Sequence, residues 1–150
     1  MLQSGFTLLE MVVILLLIGI IAISVSLTSP AGLQNTFQAE GVADVLLQDL
    51  RYTKALSMSH NQRYRLVVGA ASYQIQDQNG SPVPNPETGG NNVVYPAGVT
   101  VSPATTIIFD SKGTPYDGGS SPLGSTLTFS VTKAGQTRTV SVIPQTGLIQ

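Results

Sequence analysis

The spacing of hydrophobic and polar residues divides the chain into three regions. In the first region, residues 11–27 carry no charge, and Glu10 stands at the edge of this apolar run. A helix rises about 1.5 Å per residue, so about 22 residues span about 33 Å and can cross a hydrocarbon core of about 30 Å. We therefore predict a membrane-spanning and assembly helix over residues 6–28.

A cleaved secretory signal peptide is the alternative for this apolar run. Such a peptide has a basic N-terminal region and an apolar core of about 7–15 residues. The preceding residues MLQS contain no Lys or Arg, and the run is longer than such a core. The pattern therefore favours a retained helix. It does not explain the acidic residue at position 10.

The second region has the period of an amphipathic helix. Pro30 removes a helical hydrogen bond and Gly32 adds backbone freedom, so we predict that the helix weakens over residues 28–32. A helical pattern resumes over about residues 33–59 and needs a sheet to cover. The predicted core-facing stripe consists of Val42, Leu46 and Leu50, with Val45, Thr53 and Leu56 on or beside it. The charged residues predicted to lie largely on other faces are Asp44, Asp49, Arg51 and Lys54.

The third region, which follows a stop at residues 60–62, has the composition and alternation of short strands. Residues 63–68 (RYRLVV) and 73–76 (YQIQ) predict two strands joined by a turn. Residues 78–92 are dense in turn-forming residues and predict an exposed loop or irregular hairpin. Further strands are predicted at 93–95, 99–101, 106–110, 127–131, 138–142 and 147–149. A turn at Lys133–Gly135 joins the strands at 127–131 and 138–142 into a hairpin.

One amphipathic helix followed by a run of short strands predicts an α+β fold, in which the helix lies on an antiparallel sheet. We predict one domain over residues 29–150. Charged residues make up 10% of the chain and the net charge is −1, so no overall field attracts nucleic acid or acidic lipid. The chain contains no cysteine and one histidine, which excludes disulfides and a multi-histidine metal site. No nucleophile–base pair indicates catalysis, and no cofactor is predicted.

The stretch GFTLLE, residues 5–10, resembles the class III signal of type IV pilins and type II secretion pseudopilins. The resemblance implies that a prepilin peptidase cuts between Gly5 and Phe6, removes a leader of residues 1–5, and leaves Phe6 to be N-methylated. Such leaders usually carry a Lys or Arg, and this one has none. The resemblance also implies a single-pass protein of the bacterial inner membrane with a periplasmic domain.

This resemblance suggests a role for Glu10 in assembly. After cleavage, the Phe6 amine would be a cation that lies near Glu10 of a neighbouring subunit in the filament. Removing one member of such a poorly solvated pair leaves the other uncompensated. Two local explanations stay open: a carboxylate at the membrane interface, or one favoured by the positive end of the helix dipole.

The second half of the chain is similar to the GspH/FimT family of minor subunits. Residues 50–55 (LRYTKA) resemble that family's helix end, residues 107–115 (IIFDSKGTP) its strand and turn, and residues 138–149 (RTVSVIPQTGLI) its last strand pair. Minor pilins of the mannose-sensitive haemagglutinin type share this layout. The implied partners are prepilin peptidase and N-methyltransferase, other pilins or pseudopilins, the inner-membrane assembly platform and the membrane.

Three functions follow as hypotheses. The leading one is a structural minor pilin or pseudopilin. The second is a binding module at a pilus tip, for DNA or a surface ligand, which uses the loops at 78–92 and 113–125. The third, a membrane-anchored hydrolase, ranks far below because no site supports it.

Specific residues suggest two further ligands, DNA and calcium. Some members of the FimT branch bind DNA, and weak phosphate contacts here would come from Arg51, Lys54, Arg63, Arg65 and Arg138. The basic tail of the DNA-binding members is absent, so a solvated surface is favoured. Asp110, Lys112 and Asp117 invite comparison with a calcium loop, but they lack the EF-hand spacing and its closing glutamate, which favours ordinary turns.

Overall fold

The structure, a computed structural model, describes residues 7–27 and 30–150. The chain divides into two compact units, residues 1–34 and 35–150. Helix α1 spans Leu8–Leu27 and helix α2 spans Pro30–His60. Met1–Phe6, which include the predicted cleavage site, lie outside the described residues, as do residues 28 and 29.

Helix α1 covers most of the predicted apolar segment, and Glu10 lies in its first turn. Across residues 7–27 and 30–150, no helix meets the combined requirements of length and apolar character for crossing a membrane. The membrane-spanning assignment of residues 6–28 stays a prediction from the sequence.

Helix α2 begins earlier than predicted. Pro30 is its first residue, and Gly32 is also helical, so the weakened stretch is not seen at these positions. Proline suits the first position of a helix because its φ is already helical and its missing N–H would have no partner there. The C-terminal end falls at His60, close to the predicted stop.

The buried stripe of α2 confirms the predicted core face and extends it. Leu46, Leu50 and Thr53 are buried, whereas Val42, Val45 and Leu56 are half-buried. Residues at alternating spacings of four and three complete the stripe: Ala39, Ala43 and Ser57. The Thr53 and Ser57 hydroxyls donate to the carbonyls four residues earlier, at 2.6 and 2.9 Å, which satisfies them inside the core.

Nine strands follow α2 and form two antiparallel sheets. The strands are β1 (Tyr64–Val68), β2 (Ser72–Gln76), β3 (Pro82–Val83), β4 (Val93–Val94), β5 (Val99–Ser102), β6 (Thr106–Phe109), β7 (Pro115–Asp117), β8 (Leu127–Lys133) and β9 (Gln136–Val142). The larger sheet has the order β3-β2-β1-β6-β7, with β4 also paired to β2, and the smaller has the order β5-β8-β9.

The α+β prediction is confirmed, with two sheets where one was expected. The β8–β9 hairpin is confirmed as well: its two turn residues, Ala134 and Gly135, have φ values of 47° and 84°, as a tight hairpin turn requires. Ile149 forms an isolated bridge to Val142, so the closing edge strand predicted at 147–149 is reduced to this one bridge. Two short strands were not predicted separately: β3, which lies inside the loop at 78–92, and β7.

One hydrophobic core joins α2 to both sheets. The helix contributes Leu46 and Leu50, the larger sheet contributes Leu66 and Phe109 among others, and the smaller sheet contributes Phe129. Inward side chains alternate with outward ones along β1 and β2, so β1 buries its first, third and fifth residues. The loops and helix termini that carry polar chemistry are therefore positioned by a single packed core.

Candidate functional site

The first turn of α1 places Glu10 at a helix N-terminus. The N–H of Glu10 donates to the Thr7 hydroxyl at 3.3 Å, and the N–H of Met11 donates to the Thr7 carbonyl at 3.2 Å. Thr7 is thus the N-cap, and Thr7–Glu10 has the sequence of a capping box. A carboxylate in this turn is favoured by the helix dipole, which is one of the local explanations raised for Glu10.

Beyond Glu10, the side chains of α1 present an apolar surface. Every large hydrophobic side chain from Leu8 to Ile21 is exposed, over a range from 39% at Ile14 to 83% at Leu8. Exposed apolar surface of this extent marks a site of contact with protein or membrane.

Near the other end of the chain, two basic side chains of α2 hold the C-terminal segment. The Lys54 Nζ donates to the carbonyls of Thr146 and Gly147, both at 2.9 Å, and the Arg51 Nη2 donates to the carbonyl of Ile149 at 3.0 Å. We call this arrangement the C-terminal clamp. It uses charge-assisted hydrogen bonds to fix the segment that follows β9 on the helix.

Two glycines permit the clamp. Gly113 and Gly147 have φ values of 78° and 59°, which residues with a side chain rarely adopt. A Cβ at Gly147 would collide with the Gly113 carbonyl oxygen, and a Cβ at Gly113 would lie 2.6 Å from the Lys54 Cε. The structure thus brings together residues from three separate stretches of the family resemblance.

The remaining residues of the predicted nucleic-acid set also make internal contacts. Arg63 lies over the ring of Tyr116 at 4.9 Å from its centroid, and Arg65 donates to the Gln78 carbonyl at 2.7 Å. Arg138 forms an exposed ion pair with Glu40. Each of the five cations therefore has a contact within the chain.

Asp110 and Asp117 serve turns. Oδ1 of Asp110 accepts the N–H groups of Lys112 and Thr114, and Oδ1 of Asp117 accepts those of Gly119 and Ser121, all at 2.8–2.9 Å. Burial raises the pKa of Asp110, but the hydrogen bonds from Thr114 and Lys112, with a smaller one from Tyr116, outweigh it and lower the pKa overall. Within residues 7–27 and 30–150, no group of three His, Cys, Asp or Glu is arranged for a metal ion.

A buried polar cluster was missed by sequence reasoning, which placed Asp49 on a solvent face. Asp49 is only 4% exposed, and its Oδ2 accepts hydrogen bonds from the Tyr73 hydroxyl at 2.5 Å and the Asn85 Nδ2 at 2.6 Å. Burial is the main influence on the carboxyl and raises its pKa, although both hydrogen bonds lower it. The available signal was spacing: position 49 lies three residues after Leu46 and four before Thr53, on the buried stripe.

Asn85 connects this cluster to the loop at 78–92. It is 3% exposed, and its Oδ1 accepts the N–H groups of Glu87 and Thr88 at 2.9 and 3.1 Å. Its backbone N–H donates to the Gly90 carbonyl at 2.8 Å. One buried carboxylate on α2 thereby holds the loop that the sequence predicted as exposed and irregular.

An α-helix packed on antiparallel sheets, in a chain with an exposed apolar N-terminal helix, defines a pilin-like protein. The fold matches two crystal forms of the type IV minor pilin FimU from Pseudomonas aeruginosa strain PAO1, with TM-scores of 0.55 and 0.54 and identities of 18% and 17%. The alignments cover 74% of this chain and 85% and 90% of the FimU chains. At this level of identity the match establishes the fold.

Residues 42–146 match the family of the type II transport protein GspH, and the chain belongs to that family. The match confirms the GspH/FimT resemblance seen in the sequence. It begins within α2, so it does not include the GFTLLE stretch. A comparison with curated proteins found no match. Family and fold together place the chain among the minor pilins and pseudopilins of type II secretion or type IV pili.

Proposed function

We propose that this protein is a structural minor subunit that enters a type II secretion pseudopilus or a type IV pilus, within the filament or at its tip, and supports assembly, secretion or adhesion. Its role is to bind other pilins or pseudopilins, and it has no catalytic role. The GspH family match and the pilin-like fold support the proposal. Neither distinguishes between the two machines.

The observation that carries the proposal is the exposed apolar surface of α1. A helix that is apolar on all faces is stable in water only when other apolar groups cover it. Its large apolar side chains are exposed along the described length, and few charges interrupt them. Neighbouring subunit helices, and lipid before assembly, would provide the cover that this chain does not supply.

The proposed route to the filament begins at the inner membrane. Prepilin peptidase removes residues 1–5 by cutting between Gly5 and Phe6, Phe6 is N-methylated, and the assembly platform receives the mature subunit with residues 35–150 on the periplasmic side. Support for these steps comes from GFTLLE and from the uncharged run at 11–27. Membrane attachment in this proposal rests on that sequence pattern rather than on the helices of the structure.

The position of Glu10 in the first turn of α1 is compatible with a second role, in assembly. Glu10 stands in the first turn of α1, four residues after Phe6 in the sequence. We propose that it pairs with the Phe6 amine of a neighbouring subunit and sets the register of assembly. An acidic residue in an apolar bundle is costly without such a partner.

Glu10→Gln separates assembly from capping. Glutamine retains the size of the side chain and serves equally at the third position of a capping box, so α1 keeps its first turn. The variant should be processed normally, yet crosslinking to partner subunits should fall at least about tenfold, which corresponds to about 1.4 kcal/mol. An immunoblot for processing and crosslinking in membranes measure the two effects.

Wild-type crosslinking in a fully processed Glu10→Gln protein would show that the carboxylate does not direct assembly. Intact mass of the extracted wild-type protein tests processing independently. A mature form that retains Met1–Gly5 in cells with active peptidase would contradict the proposed cleavage. Association with pilin-type subunits in the wild type tests the structural role itself.

Nucleic-acid binding is the alternative carried over from the sequence. Arg63 and Arg65 lie outside the C-terminal clamp, so Arg63→Gln with Arg65→Gln tests it with the clamp intact. Gel shift at varied salt should show no specific complex. A complex that weakens steeply with salt and is lost in the double variant would favour the alternative.

A further inference from the structure

An apolar cavity of about 390 Å³ lies between α2 and the β2–β4 edge of the larger sheet. Its floor and walls come from the helix at Gly41–Val45 and from the ring of Tyr73 on β2. The loop at Glu87–Thr88 and the segment Val93–Pro96 complete the rim. The volume is in the range of cavities that bind ligands, which are typically about 300–1,000 Å³.

One polar group in the cavity wall lacks a partner. Tyr73 and Tyr95 lie with ring centroids 5.9 Å apart, and the Tyr73 hydroxyl is bonded to Asp49. The Tyr95 hydroxyl is buried, and within the described part of the chain it has no hydrogen-bond partner. Burial raises the pKa of Tyr95 to about 12, so the group is a neutral donor at physiological pH. A buried donor left unpaired costs free energy in the folded chain, and this hydroxyl has almost no accessible surface, so a group bound in the cavity would not reach it.

The edge beside the cavity is suited to an extended segment. Strand β4 pairs with β2 through Val93 and Val94, and its other side has no strand partner among the described residues. Val94 is 71% exposed although it is a large apolar residue. A chain that pairs with such an edge uses its backbone for affinity and places alternate side chains in neighbouring pockets.

The charge of the cavity lining restricts the chemistry of the partner. Glu87 is the only charged residue among those that line this described cavity, and it is exposed at the rim. A basic side chain beside the segment's apolar residue would complement it. A nucleic acid would meet this carboxylate with phosphate charge of the same sign, and the cavity offers no cation.

We propose that this cavity is a docking site for an extended segment of a neighbouring pilin-type subunit, which pairs with β4, inserts a large apolar side chain and carries a Lys or Arg near Glu87. The inference rests on the proposed structural function and adds a contact outside α1. It therefore assigns the unit 35–150 a specific part in subunit recognition.

The chain provides a matched pair of variants for the test. A Cβ at Gly41 meets no atom within 4 Å, so a side chain there enters open space on the cavity wall. Gly41→Leu should fill the cavity, whereas Gly41→Ala improves the helix equally without filling it. Neither variant should lower the melting temperature, so loss of docking cannot be attributed to unfolding.

The readout uses the absence of native cysteine. A full-length Val94→Cys protein is labelled with a benzophenone maleimide in membranes that contain the partner subunits, irradiated, and analysed by mass spectrometry. We expect a crosslinked peptide from a pilin-type subunit, with a large apolar residue beside a Lys or Arg. Gly41→Leu should lower the yield at least fivefold, and Gly41→Ala should leave it unchanged.

Tyr95→Phe is a further control. Removing the unpaired, inaccessible hydroxyl should raise the melting temperature of the full chain and leave the crosslink yield unchanged. A yield unaffected by Gly41→Leu, or a crosslink only to lipid or to a small molecule, overturns the inference. If such a protein still enters filaments through α1, the docking site alone is wrong; if it associates with no pilin-type subunit, the proposed function is wrong as well.

Discussion

Helix α1 and the unit of residues 35–150 differ in where their apolar side chains lie. The large apolar side chains from Leu8 to Ile21 are exposed, whereas those of α2 and both sheets meet in one buried core. Burial of apolar surface is the main favourable contribution to folding, and only the second region obtains it within one chain. From this difference we predict that the second region folds by itself and that a partner covers α1.

The polar groups of the two regions differ in the same way. In the unit 35–150, the cations at 51, 54, 63, 65 and 138 all have contacts within the chain, and the buried Asp49 has two donors. Glu10 stands on an apolar helix, and its first-turn position satisfies the backbone rather than the charge. The proposed pairing with a neighbouring subunit would compensate the charge of Glu10.

The largest expected effect comes from removing the first region. A chain that begins at Leu33 lacks α1 and keeps all of the unit 35–150. We expect a soluble monomer with mixed helix and strand signals in circular dichroism and no entry into filaments, because its core is complete without α1. Sedimentation measures the mass. An unfolded or aggregated product would contradict this difference between the two regions, because it would mean that the unit 35–150 needs α1 in order to fold.

Gly147→Ala should strongly destabilise the unit 35–150. The added Cβ collides with the Gly113 carbonyl, and the positive φ of 59° disfavours a side chain, so we expect a loss of about 3 kcal/mol in the free energy of unfolding. Urea denaturation measures the loss. Gly135→Ala is the control, because it has a φ of 84° but open space around it and should cost about 1 kcal/mol. Equal losses would show that the close approach at the clamp is unimportant.

Asp49→Ala should cost about 3 kcal/mol or somewhat less, because it leaves the Tyr73 hydroxyl and the Asn85 amide as two buried donors without an acceptor. Tyr73→Phe removes one donor, so no acceptor is needed for it, and the loss in the free energy of unfolding should be smaller. Unfolding of both single variants and the double variant gives the coupling between them. Strict additivity would contradict a shared buried cluster.

The same Asp49 variant tests how the free energy of unfolding depends on pH. Burial raises the pKa of Asp49 above its ordinary value of 3.8, so the folded state holds the proton more tightly than the unfolded state. The stabilisation from this proton is complete below pH 3.8 and is lost as pH rises through the folded pKa. The advantage of the wild type over Asp49→Ala should thus shrink as pH rises from about 4. An advantage that grows with pH would reverse the inferred direction.

The smallest effect is expected at the exposed ion pair of Arg138 and Glu40. Both side chains are well exposed, so Arg138→Gln should change the free energy of unfolding by less than about 1 kcal/mol, with the difference reduced by salt. Denaturation at low and high salt measures it. A larger, salt-independent loss would show that this pair belongs to the packed region rather than to its solvated surface.

Local patterns were enough to predict the elements. The alternation in RYRLVV and the turn Lys133–Gly135 predicted β1 and the β8–β9 hairpin, because strand period and turn chemistry depend on near neighbours. Strand β7 was missed, since its three residues begin with Pro115 and its pairing depends on β6. The start of α2 at Pro30 was also missed, because proline was taken as a breaker rather than as a first residue.

Sequence alone determined the apolar N-terminal run, the amphipathic period of α2 and the family, since each depends on residue types at fixed spacing. Only the tertiary structure decided the division into two sheets, the burial of Asp49 beneath Tyr73 and Asn85, and the cavity beside β4. Residues 49, 73 and 85 are far apart in the chain, and no local period relates them. A polar residue on a buried stripe is stable only when distant donors meet it, and folding brings those donors together.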